Sequence, residues 1–445
     1  MKARSLAYTL LVALLAGCSD APKGPSGGSV ADKGLSLKDN QPKPDESAAE
    51  NGGGETTAND WPNWLGPNAD GISRETDWTA KWPADGPTTL WKKKVGIGFS
   101  SMAVATGADG TARVYTMGHR DGKEFVWCLD AETGDEIWSH SYAGKLVKNL
   151  HEGGPCATPT VDGDRVYTVG REGQLYCLDA ADGKPVWSMD LQEEFGAELP
   201  AWGFTCSPVI SGDVLIIEAG RTAALNKTTG KVIWQTALYP PGYGSPSLFI
   251  ADGELRVAVL NNFGPMIVRA DNGKEIVKDR WETAYKTNST TPIVADGKVF
   301  ISTGYDKGCA LFDMADDKLD VVYTNKKMRN HFNNCVLLDG HLYGVDGNSN
   351  QSRNCKVVCT EFATGKVKWE HRGLGCGSLL IADGKLIILS DDGKLVTAAA
   401  TPDAFRQIGS AQVLTGKCWT VPVLSHGRIY CRNTPGDLVC VDVRE

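Results

Sequence analysis

The chain lacks most features that would classify it at a glance. It has no long basic run, and a formal net charge of −8 over 445 residues offers no footprint for a phosphate backbone, which argues against nucleic acid as a partner. Its longest N-terminal apolar stretch, Leu6 to about Leu15, is too short to span a bilayer as a helix. No segment is both long and apolar at a period of 3.6 residues, so helices are not expected. A Walker-type phosphate loop, a His-Glu-x-x-His pair and a Gly-x-Ser-x-Gly elbow are all missing, removing the common nucleotide, zinc-protease and serine-hydrolase signatures. The seven His are scattered without a short-spaced ligand pair; satisfied or solvent-facing imidazoles account for them, and no metal site is read. The Cys density is far below that of a disulfide scaffold.

What is present begins at the N-terminus. "MKARSLAYTLLVALLAGCSD" places Lys2 and Arg4 before the apolar stretch and small residues before Cys18, the layout of an export signal. "LAGC" resembles the lipobox of bacterial lipoproteins, which implies that Cys18 is lipidated and that residues 1–18 are the signal peptide. Ser19 after that Cys, rather than Asp, implies outer-membrane sorting under the same resemblance. Residues 19–59 are rich in Gly, Pro, Ser and charge with almost nothing large and apolar. Such a segment cannot offset its ordering entropy by burial, so a flexible linker is expected.

From Trp91 onward one phrase recurs. "FVWCLDAETGDEIW" at 125–138, "QLYCLDAADGKPVW" at 174–187 and "AALNKTTGKVIW" at 223–234 alternate apolar and polar residues, turn at a Gly and end on Trp. The terminal aromatic reappears as Trp91, Trp138, Trp187, Trp234 and Trp281, then Tyr323 and Trp369. Spacings of about 40 to 50 residues with only strand-like segments between them mark a propeller. Each unit reads as four strands joined by Asp-Gly or Gly-containing turns. One such sheet has two apolar faces and cannot cover them alone, so copies pack around an axis, and the terminal aromatic fills the wedge between neighbours. The last unit, "WTVPVLSHGRIYCRNTPGDLVCVDVRE", stops after three strands, and "TTLWKKKV" at 88–95 supplies the missing fourth. The expected fold is therefore all-β: an eight-bladed β-propeller over residues 60–445, its last blade closed by an N-terminal strand. Seven blades is the alternative, because the seventh unit carries no Trp.

The cysteines divide by position. Cys128 and Cys177 occupy apolar slots of the repeat and read as small buried hydrophobes. Cys156, Cys206, Cys335, Cys376 and Cys418 fall near the starts of inner strands, where packing or a thiol-lined mouth would place them. Cys431 and Cys440 flank the Pro435-Gly436 turn, which suggests adjacent strands within disulfide reach.

The "xLYCLDAxxGKxxW" repeat resembles that of the pyrroloquinoline-quinone (PQQ) dehydrogenase-like propellers over nearly everything from Trp91 on. "DWPNWLGPNADGIS" at 60–73 is similar to a box that often opens exported PQQ-repeat proteins, implying that Trp61, Trp64 and Pro67 clamp the chain onto the ring. With the lipobox, the layout is similar to that of the BamB-like exported lipoproteins of outer-membrane barrel assembly. In the quinone enzymes of this family the repeat braces the blades, and cofactor and calcium sit at the axis on other residues. Many also carry two adjacent Cys beside the quinone. No Cys-Cys occurs here, which weakens an enzymatic reading.

Propeller sites form where loops meet the axis. Trp202 in "ELPAWGFTCSP", Asn262 in "NNFGP", and Arg329, His331, Asn333 and Asn334 in "KKMRNHFNNC" are the candidates. They would either ring a polar ligand or satisfy loop backbone and channel water. The expected function is a non-catalytic envelope lipoprotein that scaffolds a protein partner, without cofactor. The alternative is a quinoprotein dehydrogenase that oxidises an alcohol or sugar with PQQ and Ca2+.

Overall fold

A computed structural model describes residues 57–148, 151–315 and 318–445. Cys18, the 1–18 signal and all of the 19–59 linker except its last three residues lie outside the described residues. Eight sheets follow one another along the chain. Blades one to four begin at Ala103, Thr160, Val209 and Ser247, and blades five to seven at Ile293, Val336 and Ser378. Blade eight contributes Val423–Ser425, Arg428–Arg432 and Asp437–Asp442, and Thr89–Lys94 completes it. Trp91 pairs with Cys440 and Lys94 with Asp437, so the ring is closed by its N-terminal strand as expected. Among the described residues helix is almost absent: Leu191–Phe195 is a single α-turn. Among the described residues no helix is long and apolar enough to cross a membrane.

The hairpins form for a local reason. Asp252, Asp296, Asp339 and Asp383 each take positive φ ahead of a positive-φ Gly, the two-residue turn whose twist matches a β-hairpin. The wedge also has a repeated chemistry. Trp138 Nε1 donates to the Ala180 carbonyl of the next blade at 2.9 Å, Trp187 to Lys227 at 2.9 Å and Trp234 to Ala270 at 2.8 Å. The repeat's Gly supplies positive φ and also room. A Cβ on Gly134 would lie 2.6 Å from the Trp91 ring, and one on Gly230 2.7 Å from the Trp187 ring. Each "GKxxW" phrase therefore receives the previous blade's aromatic on its Gly and presents its own aromatic to the following blade.

Four cysteines belong to this brace. Tyr115, Cys128 and Trp138 lie directly opposite one another on three successive strands. So do Tyr167, Cys177 and Trp187, Tyr343, Cys359 and Trp369, and Tyr430, Cys440 and Trp91.

That register corrects three expectations. Cys431 pairs with Val439, not with Cys440, so successive residues of the strand put the two thiols on opposite faces, and both are free. Trp281 is buried between blades four and five, but it does not hold the register position of the other wedge residues. It lies beyond the fourth strand, Glu275–Lys278, and Val277 holds the register position that Trp234 holds in blade three. Trp281 instead donates to Thr303 Oγ1 at 3.2 Å. Pro67 does not clamp the ring, because it is exposed, whereas Trp61 and Leu65 are buried.

The N-terminal strap runs across one end of the axis. Trp61 makes two backbone bonds of 2.8 Å with Val104 of blade one, and half-buried Trp64 donates to Thr291 beside blade five, across the ring, at 3.1 Å. Ile72 and Ser73 then pair in parallel with Ile381 and Ala382 of blade seven. Buried Asp60 joins His426 at 2.8 Å and Thr106 at 2.8 Å, tying blade eight to blade one.

Candidate functional site

A mouth of the axis is built by the segments that lead into the inner strands, and every junction there carries a hydrogen bond. Phe99 N donates to Pro155 O at 2.8 Å, Thr158 N to Ser207 Oγ at 2.9 Å and Ser207 N to Ser245 Oγ at 2.9 Å. Tyr243 N donates to Asn288 O at 2.8 Å, and Thr291 N to Asn334 Oδ1 at 3.1 Å. Asn333 donates to the Gly377 carbonyl, Ser378 Oγ to Trp419 O at 3.3 Å, and Ser101 Oγ to Val421 O at 2.8 Å. These eight bonds join blade one to two and so on round to blade eight and back to one.

Two of the sequence candidates, Asn333 and Asn334, make bonds of this closure. Asn334 also donates to the Thr291 carbonyl at 2.9 Å, so it clasps that backbone from both sides. Asn262 accepts from Asn288 N at 2.9 Å and donates to Pro241 O at 2.5 Å. Arg329 grips Asp346 through Nε at 2.8 Å and Nη2 at 2.9 Å and reaches Asp306 at 2.7 Å. His331 Nδ1 accepts from Ser349 N at 3.0 Å, and burial lowers its pKa to about 4, so the ring is neutral at neutral pH. Trp202 sits edge-on against Tyr243 at 5.8 Å. All six lie at or near this mouth, and five of them have hydrogen-bond partners within the protein.

The inner-strand cysteines line no reactive mouth. Cys206, Cys335, Cys376 and Cys418 are buried, and burial pushes the thiols of Cys156 and Cys418 up to about 12. Such thiols pack; they are not nucleophiles.

Sequence reasoning missed the aromatic row that lies at this mouth. Trp419 stacks on Phe332 at 4.6 Å and on Phe99 at 5.7 Å. The row continues through His151 at one end and through His331, Tyr305 and Tyr285 at the other. Trp419, Phe332 and Phe99 are half-buried and Tyr285 is exposed. The available signal was Trp419 in "GKCWTVP", a Trp at a strand entry where the repeat places none. Arg171 was also missed. It is 3% exposed; Nη2 donates to Ala201 O at 3.0 Å, and Nε and Nη1 have no partner. Glu124 accepts from Arg171 N at 3.1 Å, and burial raises its pKa to about 7.

A calcium-bound quinone would need converging carboxylate and amide oxygens at the axis. Among the described residues no group of three or more His, Cys, Asp or Glu is placed to hold a metal ion. Asn262 and Arg329 are engaged as described, and Trp202 packs against Tyr243. No step through that cofactor follows from these residues.

The fold and its brace define an eight-bladed propeller whose "GKxxW" phrases lock each blade to the next. Residues 122–369, more than half of the chain, match the PQQ-repeat family model described as outer membrane protein assembly factor BamB, and the chain belongs to that family. Among solved structures it is similar to BamB from Moraxella catarrhalis, at 18% identity and TM-score 0.55, over 80% of this chain and 97% of that one. It is also similar to quinohemoprotein alcohol dehydrogenases. The enzyme from Comamonas testosteroni gives 13% identity and TM-score 0.64 over 86% of this chain and 80% of that one. The enzyme from Pseudomonas putida HK5 gives 13% and 0.60 over 87% and 80%. At these identities the likeness is one of fold. No curated protein matches the chain.

Proposed function

We propose that this protein is a non-catalytic scaffold of the cell envelope, exported and anchored through Cys18, that holds a protein partner of outer-membrane assembly. The observation that carries the reading is the closed circuit of eight hydrogen bonds at the axis, six of which use Ser and Asn side chains to join one blade to the next. What faces outward is suited to docking: the aromatic row at the open mouth, and Ile137, Val186 and Ile233, each 40% exposed or more, beside the wedge Trp on three fourth strands. Aromatic side chains supply large contact areas, and sheet edges accept extended peptides.

The test is a calorimetric and absorbance titration of the purified full chain with PQQ and Ca2+. No saturable binding is expected, and stoichiometric binding would move the protein to the dehydrogenase class. Cys18→Ser should release the protein from membranes or block its processing; unchanged membrane association would defeat the anchor.

A further inference from the structure

Where the N-terminal strap meets blade eight there is a surface cavity of about 390 Å3. The strap contributes Arg74, Glu75 and Asp77. His426 and Gly427, at the tip of the hairpin between Val423–Ser425 and Arg428–Arg432, face them together with Arg428 and Arg444. Among the described residues no apolar side chain lines the space.

Most of these groups already have partners. Arg444 grips Asp442 through Nε at 2.8 Å and Nη2 at 2.7 Å, and His426 is paired with Asp60. Arg428 donates through Nη1 to His426 O at 3.0 Å and through Nη2 to Glu132. Glu75 Oε2 accepts from Gly427 N at 2.7 Å. What is left over is of both signs. Glu75 Oε1 and Arg428 Nε have no partner, although both residues are only 6% exposed. On the rim, exposed Asp77 has neither a hydrogen-bond nor an ion-pair partner among the described residues. Arg74 donates to the Asn68 side-chain oxygen through Nε at 3.0 Å and Nη2 at 2.7 Å, which leaves Nη1 open. A buried carboxylate oxygen without a donor and a buried guanidinium N–H without an acceptor are each costly. Burial raises the Glu75 pKa, as expected of a carboxylate short of donors.

A purely cationic ligand would meet the three guanidiniums here, and a purely anionic one would meet Glu75 and Asp77. We propose that the cavity binds a small zwitterion of the α-amino acid class, its ammonium held by Glu75 and Asp77 and its carboxylate by Arg74 and Arg428. The polar wall selects a small or hydroxyl-bearing side chain over an aliphatic one, and the volume leaves room for bridging waters. The site shares no residue with the axial mouth, so it and the scaffold reading stand or fall separately.

The experiment titrates the full chain with L-serine by isothermal calorimetry, beside L-leucine, ethanolamine for the ammonium alone and glycolate for the carboxylate alone. Saturable serine binding with a Kd below about 1 mM is expected, with each of the other probes weaker by about tenfold or more. Arg74→Ala, and Glu75→Gln, which keeps an acceptor for the Gly427 amide, should each weaken serine binding by about tenfold. Arg74 is exposed, so its variant keeps the parent Tm and decides the question even where Glu75→Gln lowers it. A serine Kd above about 1 mM would overturn the proposal, as would another probe binding as tightly as serine, or serine binding that Arg74→Ala leaves unchanged.

Discussion

Blades one and seven share one four-stranded plan but are held to their neighbours by different parts of the chain. In blade one the wedge is filled from within the repeat: Trp138 bonds the Ala180 carbonyl, and its ring lies on Gly183. In blade seven the register position of that Trp is Gly409. There the strap supplies what the repeat omits. The Ala80 carbonyl accepts from Thr397 Oγ1 at 2.6 Å, Trp82 packs over Gly409, and Trp78 is buried in the same core cluster. The difference teaches that a blade junction requires volume and a hydrogen bond, and that sequence order is free. It also makes the strap part of the core.

Removing the strap is the strongest way to break the comparison. Deletion of residues 57–95 would strip the wedge from blade seven, leave Asp437–Asp442 as an unpaired edge and remove Trp91. Loss of the cooperative thermal transition and aggregation on size exclusion are expected. A soluble variant that melts like the full chain would show that the ring closes another way.

Next in size is Trp138→Ala, which removes a buried indole and leaves a void between blades one and two. Denaturant unfolding should register a loss of about 3–5 kcal/mol. Trp82→Ala, at the half-buried counterpart under blade seven, should cost less than half of that. Equal losses would mean that the strap residue is as central as the repeat residue.

The junctions also differ in charge. Most are bridged by neutral Ser, Thr and Asn groups, but Glu218 accepts from the Gly220 and Gly242 amides at 2.9 and 3.2 Å, between blades three and four. Burial raises its pKa from 4.5 to about 7. Between those values the unfolded chain releases the proton while the folded chain keeps it, so stability falls as pH rises through that window and levels off above about 7. The shift corresponds to roughly 3 kcal/mol. Glu218→Gln should shrink the stability difference between pH 5 and pH 8 by about that amount, and an unchanged pH profile would assign the slope elsewhere, Glu124 first.

The repeat itself was legible because it is written in side chains that recur at fixed spacing: the Asp-Gly turns, the Gly before the wedge, the Trp after it. Strand exchange between the chain ends was legible for the same reason, as a missing strand at one end and a spare at the other. Trp281 misled because a Trp at roughly the right interval cannot be told from one in register, and only the bulge that sets Val277 opposite Ile267 decides it. The Cys431 and Cys440 pairing failed by a single residue of register, which in a strand inverts the face. At the axis the polar residues were found but their role was not, since a side chain that bonds the next blade and one that bonds a ligand look alike until the neighbour is in place. The aromatic row draws on blade entries more than 300 residues apart, and no local pattern encodes it.

The smallest prediction separates the two duties of the repeat's glycine. Gly230 and Gly253 have nearly equal φ, +72° and +74°, but a Cβ at Gly230 would stand 2.7 Å from the Trp187 ring, while one at Gly253 would meet nothing within 4 Å. Gly253→Ala should therefore cost only the left-handed backbone penalty, about 1 kcal/mol. Gly230→Ala adds the displacement of a ring hydrogen-bonded to the Lys227 carbonyl, an overpacking cost of roughly 1–3 kcal/mol more. Chemical denaturation of both variants measures the difference directly. If the two losses agree, the glycine is there for the turn alone, and the ring contact is incidental; a larger loss at Gly230 makes the Gly of each "GKxxW" phrase the socket for the preceding blade's aromatic.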